Sequence, residues 1–344
     1  MLETHKADVL VAGQGAAAFA AALYSARYQL NTIIASESFG GETAIGGLIE
    51  NYPGTPDIDG FDLMLKFKEQ VDKLEVPTIS RNLEAVEPSD DGRFICTLGG
   101  GDIVDAGSVI LCVGRERRTL DLPNEEEWTG KGVSYCSTCD APLYRNKEAA
   151  AVVGGGNAAT EGAILLARYA KHVYLIYRGD ELWRPEPIQL KVLSQIPNVR
   201  VLLNTTVTEL IGTDLAGLTS IRISRPMDDH ETVNIHPDQT EPMNKSREDD
   251  HGKDVIDLDG IFIEAGADPR LEIPDMLGLD LNDETGEVHV DRGQRTSMPG
   301  IYAAGDLTDG TSLKQTVTAA SQGAIAALSA YGYVLAGEHH YEAA

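Results

Sequence analysis

The chain has 344 residues, of which 42% are hydrophobic and 24% are charged, as in an ordinary soluble globular protein. One hydrophobic core rarely holds that many residues, so two domains are expected. The formal net charge of -26 at pH 7 argues against nucleic acid and anionic membrane surfaces as partners, because both carry negative charge and would repel the chain.

The two ends show no pattern typical of a secreted or membrane protein. The opening segment MLETHKADVL lacks a basic region followed by an apolar run and a small-residue cleavage site, so the expected location is cytoplasmic. Near the other end, residues 316–337 (TVTAASQGAIAALSAYGYVLAG) form an apolar stretch that Thr, Ser, Gln and Gly interrupt. This pattern indicates a buried helix rather than a membrane span.

A glycine turn between a strand and a helix comes first along the chain. Residues 7–27 (ADVLVAGQGAAAFAAALYSAR) begin with an apolar run, turn on two glycines and continue in an Ala-rich helical pattern. Such glycines let the backbone approach a pyrophosphate, and the helix N-terminus supplies N–H groups and positive potential. A dinucleotide is therefore expected along Gly13, Gly15, Ala16 and Ala17.

The next strand, NTIIASE, ends about 20 residues after this turn, where a carboxylate typically accepts hydrogen bonds from a ribose diol. Glu37 is the candidate for that role. Its neighbour Ser36 is the alternative, because strand ends are hard to place from sequence.

The same arrangement recurs at residues 149–170 (AAAVVGGGNAATEGAILLARYA), where Gly154, Gly156, Asn157 and Ala158 are the candidate nucleotide contacts. The following strand, VYLIYRG, carries Arg178 at the position that matches Glu37. An arginine there can receive a 2′-phosphate. Two nucleotide sites are therefore predicted, the first for a dinucleotide without that phosphate and the second for one with it.

Later segments indicate how these two units are arranged. Apolar strands ending in glycine follow each unit, at residues 107–114 and 259–269, and a third strand ends at Gly305 and Asp306. A helix of small residues is predicted from about Gln315. This C-terminal piece has no nucleotide turn of its own, so it is expected to complete the first domain.

The predicted fold class is α/β, with two Rossmann-like dinucleotide-binding domains, the second inserted into the first. The first domain is expected to comprise residues 1–116 and 267–344, and the second residues 117–266. Residues 226–254 are polar and acidic, which predicts a long exposed hairpin loop or a disordered insertion. The histidines in that segment show no recurring ligand spacing, so no metal site is predicted.

Two of the four cysteines form a motif, CSTCD at 136–140. Cys96 and Cys112 stand singly in apolar runs and are expected to be buried and inert. Cys136 and Cys139 could hold half a metal site, staple a loop or exchange electrons. Zinc would need further ligands at suitable spacing, which are not found nearby, and a purely structural disulfide is not expected in a cytoplasmic protein.

The order of these motifs resembles that of the low-molecular-weight thioredoxin reductases. The shared landmarks are the first glycine turn, GGE at 40–42, ENYPG at 50–54, CSTCD, the second glycine turn and AAGD at 303–306. They cover nearly the whole chain in the same order. The resemblance implies a homodimeric flavoprotein with a discontinuous FAD domain and an inserted nicotinamide domain that carries the redox dithiol.

The resemblance also implies a set of flavin contacts in the first domain. Asn51 and the 40–42 turn would lie along the flavin, Asp306 would bind a ribityl hydroxyl, and the helix from about Gln315 would direct its N-terminus towards the ring. A reduced flavin gains negative charge, which a helix N-terminus stabilises. The implied FAD-binding residues are Gly13, Gly15, Ala16, Ala17, Glu37, Gly41, Glu42, Asn51, Gly114, Gly305, Asp306, Lys314, Gln315 and Thr316.

Within CSTCD, the resemblance implies a division of roles. Cys139 would face the flavin, Cys136 would attack the disulfide of a partner, and Asp140 would manage the proton that exchange requires. The two cysteines span one helical turn, so they can form a disulfide if a helix starts there. The N-terminus of that helix would favour the reactive thiolate.

The nicotinamide domain departs from the family pattern. The family reads His-Arg-Arg with another arginine four places on, whereas this chain reads YRGDELWRPEP. Arg178 is kept, Gly179 replaces the second arginine, and Arg184 falls one place late. Losing a bidentate arginine weakens recognition of a 2′-phosphate, so NADPH and NADH both stay open as donors. Three arginines at 114–118 are expected to form salt bridges at the domain hinge.

The expected activity is reduction of a thioredoxin-like protein by a reduced nicotinamide, through FAD and the Cys136–Cys139 dithiol. Three alternatives remain open. Reduced ferredoxin or flavodoxin could replace the nicotinamide as donor, the chain could be a dithiol oxidase that passes electrons to oxygen, or it could be a redox sensor without enzymatic activity.

Overall fold

The computed structural model of the protein describes residues 2–55, 57–224, 246–248 and 254–337. The predicted acidic insertion at 226–254 therefore lies outside the described residues, apart from 246–248 and residue 254, which form short strands. By their contacts, the residues form two compact units. The first comprises Met1–Glu116 and Pro269–Ala344, and the second Arg117–Asp268.

Helices and strands alternate along both units. The strands are β1 Thr4–Ala12, β2 Thr32–Ala35, β3 Leu48–Ile49, β4 Ile58–Asp59, β5 Thr78–Ile79, β6 Leu83–Pro88, β7 Phe94–Leu98, β8 Ile103–Leu111, β9 Arg115–Arg117, β10 Val133–Ser134, β11 Ala149–Val153, β12 His172–Ile176, β13 Val199–Leu202, β14 Thr206–Thr213, β15 Gly217–Ser224, β16 Ser246–Glu248, β17 Asp254–Asp257, β18 Gly260–Ile263, β19 Ala267–Pro269 and β20 Ile301–Ala303. The helices are α1 Ala16–Arg27, α2 Gly41–Ile45, α3 Gly60–Asp72, α4 Ser137–Asp140, α5 Asn157–Leu166, α6 Pro187–Leu193, α7 Glu272–Met276 and α8 Thr316–Ala336.

The first unit is built on a mixed sheet in the order β5-β2-β1-β8-β7-β6, with β20 also paired to β8. Strand β1 is parallel to both β2 and β8, so the turns that follow these strands lie at one edge of the sheet. Alternate side chains of β1 are buried on opposite faces of the sheet. Val9 and Val11 belong to the apolar cluster that includes α1, and Leu10 belongs to the cluster on the other face, which includes Ile273 of α7. The sheet thereby holds the first glycine turn at its carboxyl edge.

Helices α1 and α8 pack closely against each other in this unit. A methyl group on Gly323 of α8 would lie 2.0 Å from the carbonyl oxygen of Ala17, so only glycine allows this approach. The predicted buried helix is correct in position, since α8 begins after Gln315, but only one face of it is buried. Leu328 and Leu335 on the other face are each 54% exposed. No helix among the described residues is long and apolar enough to span a membrane.

The second unit contains a parallel sheet in the order β10-β18-β11-β12-β13. Because β11, β12 and β18 run in parallel and in register, the residues that follow them come to the same edge. Strands β14, β15, β17 and β16 form a separate antiparallel sheet in this unit. The parallel sheet is the element that positions the dithiol and the second glycine turn.

Cys96 and Cys112 are both buried and neither forms a disulfide. Burial raises the pKa of Cys96 to about 12 and raises the pKa of Cys112 further still. The prediction that these cysteines are buried is confirmed. Since a thiol with a raised pKa has little thiolate at neutral pH, their lack of reactivity stays a prediction that this burial supports.

Candidate active site

The first glycine turn forms a cradle of closely spaced backbone. Gly13 has a φ of +121°, and a methyl group there would lie 2.3 Å from the carbonyl oxygen of Cys112. At Gly15 the direction of a side chain is open, and a methyl group on Gly41 would lie 3.3 Å from the Gly15 Cα. The Gly40 N–H donates to the Gln14 carbonyl at 2.9 Å, which holds the two loops together. This cradle at the N-terminus of α1 fits the pyrophosphate of FAD.

The buried first turn of α1 places Ala16 and Ala17 behind this cradle. Neither residue presents a large side chain, so the helix N–H groups remain accessible from the turn. Gly114, another predicted contact, has a φ of +71°, and its carbonyl accepts from the Arg270 N–H at 3.1 Å. Gly305 has a φ of +81° and its N–H donates to the Gln322 side chain at 2.9 Å, which ties β20 to α8.

The predicted ribose ligand Glu37 has a partner that the sequence did not indicate. Asn82 donates to the Glu37 carboxylate at 3.1 Å and accepts from the Glu37 N–H at 3.0 Å. Ser36, the alternative candidate, is buried, and its hydroxyl donates to the Ser38 carbonyl at 3.1 Å. The exposed carboxylate of Glu37, which Asn82 orients, therefore fits the predicted ribose contact better than buried Ser36 does.

The N-terminus of α8 brings several predicted flavin contacts together. Gln315 caps the helix, and its N–H donates to the Thr318 hydroxyl at 3.2 Å. Asn51 donates to the Gln315 side chain at 3.1 Å, and the Thr316 hydroxyl lies 2.9 Å from that of Thr43. The turn at 40–42 and the ENYPG segment are thereby joined to one helix N-terminus.

A charged cluster lies beside this helix. Glu287, which is buried, pairs with Lys314 at 2.9 Å and with Arg115 at 3.5 Å. Lys314 also donates to the Thr308 carbonyl. Burial raises the pKa of Asp306, and the positive charges of Lys314 and Arg115 oppose that rise.

Two nearby carboxylates also act on Asp306. The negative charges of Glu287 and Glu42 raise its pKa further. A hydrogen bond to a ribityl hydroxyl would offset part of the cost of keeping the Asp306 carboxylate charged in a buried place. The cluster thus fits the predicted role of Asp306. Glu287 was not predicted, because no motif marks it.

The predicted dithiol is a disulfide, with the Cys136 and Cys139 sulfurs 2.10 Å apart. Cys136 is the N-cap of the short helix α4, and its sulfur accepts from the Cys139 N–H at 3.1 Å. Cys136 is half-buried, whereas Cys139 is exposed. The Ser137 hydroxyl, between them, donates to the Glu264 carboxylate at 2.8 Å, so the end of β18 holds the helix in place.

Asp140 lies at the end of the same helix and is held by a residue that precedes the motif. The Ser134 hydroxyl donates to the Asp140 carboxylate at 2.7 Å, and the same oxygen accepts from the Cys136 N–H at 3.1 Å. Ser134 therefore links the proposed proton carrier to the backbone of the first cysteine. Burial and the Asp140 charge raise the pKa of Tyr144 to about 12, so this phenol stays protonated nearby.

The second glycine turn resembles the first in its backbone. Gly154 has a φ of +151°, and a methyl group there would lie 2.1 Å from the carbonyl oxygen of Glu264, the residue that holds Ser137. Gly156 caps α5 and its side-chain direction is open. The Asn157 side chain accepts from the Glu186 N–H at 2.8 Å, and Ala158 is exposed in the first turn of α5. These features fit the pyrophosphate of a nicotinamide dinucleotide.

The two predicted arginines of the phosphate clamp differ in their surroundings. Arg178 is exposed, directly after β12 and Tyr177. Arg184 is exposed as well, and its guanidinium carbon lies 5.1 Å from the centre of the Trp183 ring. Among the hinge arginines, Arg118 pairs with Asp268 at 2.5 Å, and Arg115 pairs with Glu287 as described above.

One large cavity, of about 590 Å³, lies apart from the glycine turns in the first unit. It is lined by side chains of α1, α3 and α8, among them Tyr24, Phe67 and Leu328. Among the residues that the structure describes, no cluster of His, Cys, Asp or Glu has the arrangement of a metal site.

Two glycine turns, each at the carboxyl end of parallel strands, and a disulfide on the second unit fit a disulfide oxidoreductase that binds two dinucleotides. The family model for pyridine nucleotide-disulphide oxidoreductases matches residues 7–323, and the chain belongs to this family. Membership implies FAD and a nicotinamide as cofactors.

Solved structures of thioredoxin reductases are similar over nearly the whole chain. The enzyme of Lactococcus lactis matches with a TM-score of 0.82 and 30% sequence identity, over 96% of this chain and 99% of that chain. The enzyme of T. acidophilum matches with a TM-score of 0.81 and 31% identity, over the same shares of both chains. The chain has the fold of the low-molecular-weight thioredoxin reductases, with two Rossmann-like domains.

The curated relatives include subunits of alkyl hydroperoxide reductases. One subunit of the alkyl hydroperoxide reductase of Xanthomonas campestris pv. phaseoli is 33% identical over 332 residues, which is 95% of this chain and 57% of the relative. The protein of the same name from Staphylococcus aureus is also 33% identical, over 95% of this chain and 59% of the relative. The chain thus spans less than two thirds of the length of these relatives.

Proposed function

We propose that this chain reduces the disulfide of a thioredoxin-like protein, with electrons from a reduced nicotinamide. The observation that carries the proposal is the Cys136–Cys139 disulfide at the start of α4, on a unit with its own nucleotide turn. The near-complete coverage of thioredoxin reductases in both directions supports it further. Bound FAD supplies the two-electron relay between nicotinamide and disulfide.

The cysteines perform the exchange with the partner. Two electrons and two protons convert the Cys136–Cys139 disulfide to two thiols. The Cys136 thiolate attacks one sulfur of the partner disulfide, and the other partner sulfur leaves as a thiolate. The Cys139 thiolate then attacks Cys136 in the mixed disulfide, which restores the original disulfide and releases the second partner thiolate. The two protons lost by the cysteines end on the partner.

Asp140 is the group proposed to take and return a proton during these steps. Its carboxylate is in the dithiol unit and is oriented by Ser134, which also binds the Cys136 N–H. Ser134, Ser137 and Glu264 are positioning residues in this scheme, because they touch the helix of the dithiol rather than the partner. The similarity to thioredoxin reductases also suggests that the chain forms a homodimer. Light scattering of the purified protein would measure its oligomeric state.

The test uses the purified flavoprotein under argon. Addition of NADH or NADPH is expected to bleach the flavin absorbance, and an oxidised thioredoxin is expected to restore it. Cys136→Ser and Cys139→Ser should each stop the second step while leaving the first intact. Bleaching by neither nucleotide would exclude a nicotinamide donor and leave reduced ferredoxin or flavodoxin to be tried.

A second partner is favoured by the curated relatives. The 33% identity to an alkyl hydroperoxide reductase component makes a protein that reduces alkyl hydroperoxides the alternative acceptor. Side-by-side turnover with an oxidised thioredoxin and with such a protein distinguishes the two. Faster turnover with thioredoxin supports the first proposal, whereas turnover with the hydroperoxide-reducing protein alone would replace it.

A further inference from the structure

The helix that carries the disulfide is held in place through Ser137, the residue that follows Cys136. Ser137 is the first residue of α4, and its side chain is buried. Its hydroxyl and its N–H both donate to one carboxylate oxygen of Glu264, at 2.8 Å and 3.3 Å. Glu264 directly follows β18, so the end of a strand in the parallel sheet holds α4 from one side.

On another side, Ser137 rests on the helix that follows the second glycine turn. A methyl group on Gly162 of α5 would lie 2.5 Å from the Ser137 Oγ and 3.0 Å from its Cβ. Gly162 is buried and has no positive φ, so space rather than backbone conformation excludes a side chain there. A methyl group at 162 would therefore turn the Ser137 hydroxyl away from Glu264, since rotation about one bond relieves the contact.

The backbone of Glu264 forms part of the second glycine turn itself. Its N–H donates to the Val153 carbonyl at 2.8 Å, at the end of β11. Its carbonyl oxygen would lie 2.1 Å from a methyl group on Gly154, the first glycine of the turn. One residue thus has its backbone against the turn that fits a pyrophosphate and its side chain on the helix that carries the disulfide.

The disulfide gives this connection two states. Reduction adds two electrons and two protons, breaks the bond between Cys136 and Cys139 and leaves two thiols, whose sulfurs then move apart. Ser137 lies between these cysteines in a helix of four residues, so movement of either cysteine disturbs its hydrogen bonds to Glu264. An element with two states that contacts both sites is the physical requirement for coupling between them.

We propose that Ser137 and Glu264 are positioning residues that make the dinucleotide affinity of the second glycine turn depend on the state of the dithiol. The disulfide form holds Glu264 against Gly154 and binds the dinucleotide tightly. The dithiol form releases this constraint and binds it more weakly, so the spent donor leaves once the disulfide has been reduced. The inference rests on the proposed function in assigning a nicotinamide dinucleotide to this turn.

Binding of ADP-ribose to the flavoprotein tests the proposal without turnover, because this fragment has the pyrophosphate but no nicotinamide. Isothermal titration compares the disulfide form with the form reduced by dithiothreitol under argon. The dissociation constant is expected to be at least about fivefold larger for the reduced form, at the lower end of typical couplings between sites. The double variant Cys136→Ser, Cys139→Ser cannot form the bond and should bind as the reduced form does.

The wild type alone can overturn the proposal. Equal dissociation constants in its two states, or tighter binding by the reduced form, would do so whatever the variants show. Absence of ADP-ribose binding in both states would contradict it as well, because the turn would then not be a nucleotide site.

A reciprocal measurement follows the disulfide instead of the nucleotide. Coupling between two binding equilibria is symmetric, so saturating ADP-ribose should make the disulfide harder to reduce by the same factor. The ratio of reduced to oxidised dithiothreitol that reduces half of the protein gives this factor, with the thiols trapped by an alkylating reagent. An unchanged ratio would count against the proposal.

Variants of the contact separate coupling from a purely structural role. Ser137→Ala removes the hydroxyl, and Gly162→Ala displaces it from Glu264. In both, the disulfide form should bind ADP-ribose as weakly as the reduced wild type, so the two dissociation constants should differ by less than about twofold. Ser194→Ala is the matched control, because it removes a serine hydroxyl that donates to the Lys191 carbonyl on α6, and it should keep the wild-type ratio. Variants at 137 and 162 that melt earlier but keep the fivefold ratio would refute the proposal.

Failure of this inference differs from failure of the proposed function. The inference fails on the affinities of two redox states for a fragment that carries no electrons. The proposed function fails if the flavin is not bleached by a nicotinamide or is not reoxidised by a disulfide partner. Each result is read from a different measurement on the same protein.

Discussion

The Ser134 hydroxyl donates a 2.7 Å hydrogen bond to the Asp140 carboxylate, across the turn that presents the disulfide. Because the same hydroxyl oxygen accepts from the Cys136 N–H at 3.1 Å, one small side chain fixes both the acid and the first cysteine. An intramolecular hydrogen bond typically contributes about 1 kcal/mol, so loss of this contact is expected to be measurable in turnover.

Ser134→Ala should lower kcat for disulfide reduction by roughly fivefold to tenfold, since about 1 kcal/mol of orientation is lost. The KM for the partner should change little, because the Ser134 side chain is buried. Ser134→Thr keeps the hydroxyl and should restore most of the rate. A fall in partner affinity with kcat unchanged would show that Ser134 shapes the docking surface instead.

Two of the four cysteine thiols should react with an alkylating reagent in the native protein, and the other two should not. After reduction, alkylation of the native protein at pH 8 is expected at Cys136 and Cys139 only. With a pKa of about 12, Cys96 has about one thiolate in ten thousand molecules at that pH, and Cys112 has fewer. Mass spectrometry of the alkylated peptides gives the result. Unfolding in urea is the control, because it should expose all four thiols to the reagent.

Asn82 should contribute to FAD binding through Glu37. Asn82→Ala removes the hydrogen bond that orients the Glu37 carboxylate and the one that accepts from the Glu37 N–H, and FAD affinity is expected to fall by roughly threefold to tenfold. Flavin fluorescence after dilution measures the release. Glu37→Gln should weaken FAD binding as well, and the double variant should add little to the larger single effect, because the two residues act as one unit. Fully additive losses would argue against this coupling.

Asp306 is expected to strengthen FAD binding and to lower the stability of the protein when FAD is absent. Burial raises its pKa in the folded chain, so its contribution to stability is present below the ordinary value of 3.8 and is lost as the pH rises through the raised pKa. Asp306→Asn is therefore expected to raise the melting temperature of the FAD-free protein at pH 7 and to have little effect near pH 4. FAD affinity should fall in the same variant. A lower melting temperature at pH 7 would contradict this reading of the buried carboxylate.

Glu287→Gln offers a matched comparison in the same cluster. Removal of its negative charge should lower the pKa of Asp306, because Glu287 is one of the groups that raise it. The same change leaves Lys314 and Arg115 without their shared carboxylate, so the melting temperature is expected to fall. Thermal unfolding from pH 4 to pH 8 in both variants separates the two effects.

The amino-acid sequence by itself determined the elements whose causes are local. Glycine at 13 and 154 is needed for a positive φ and a close backbone approach, and apolar runs with helical patterns behind them mark strand, turn and helix. The start of helix α8 near Gln315 was predictable from the local sequence in the same way. The division of labour between Cys136 and Cys139, and the flavin contacts as a set, stay predictions.

Tertiary structure alone decided which side chains meet. Asn82 reaches Glu37, Glu287 joins Lys314 to Arg115, and Glu264 holds Ser137, although each partner stands far away in the chain. No local pattern marks these residues, because parallel strands bring together segments that are separated by whole helices. The Tyr177 ring belongs to this group too, since only the packed sheet places it beside Gly155 and Gly179.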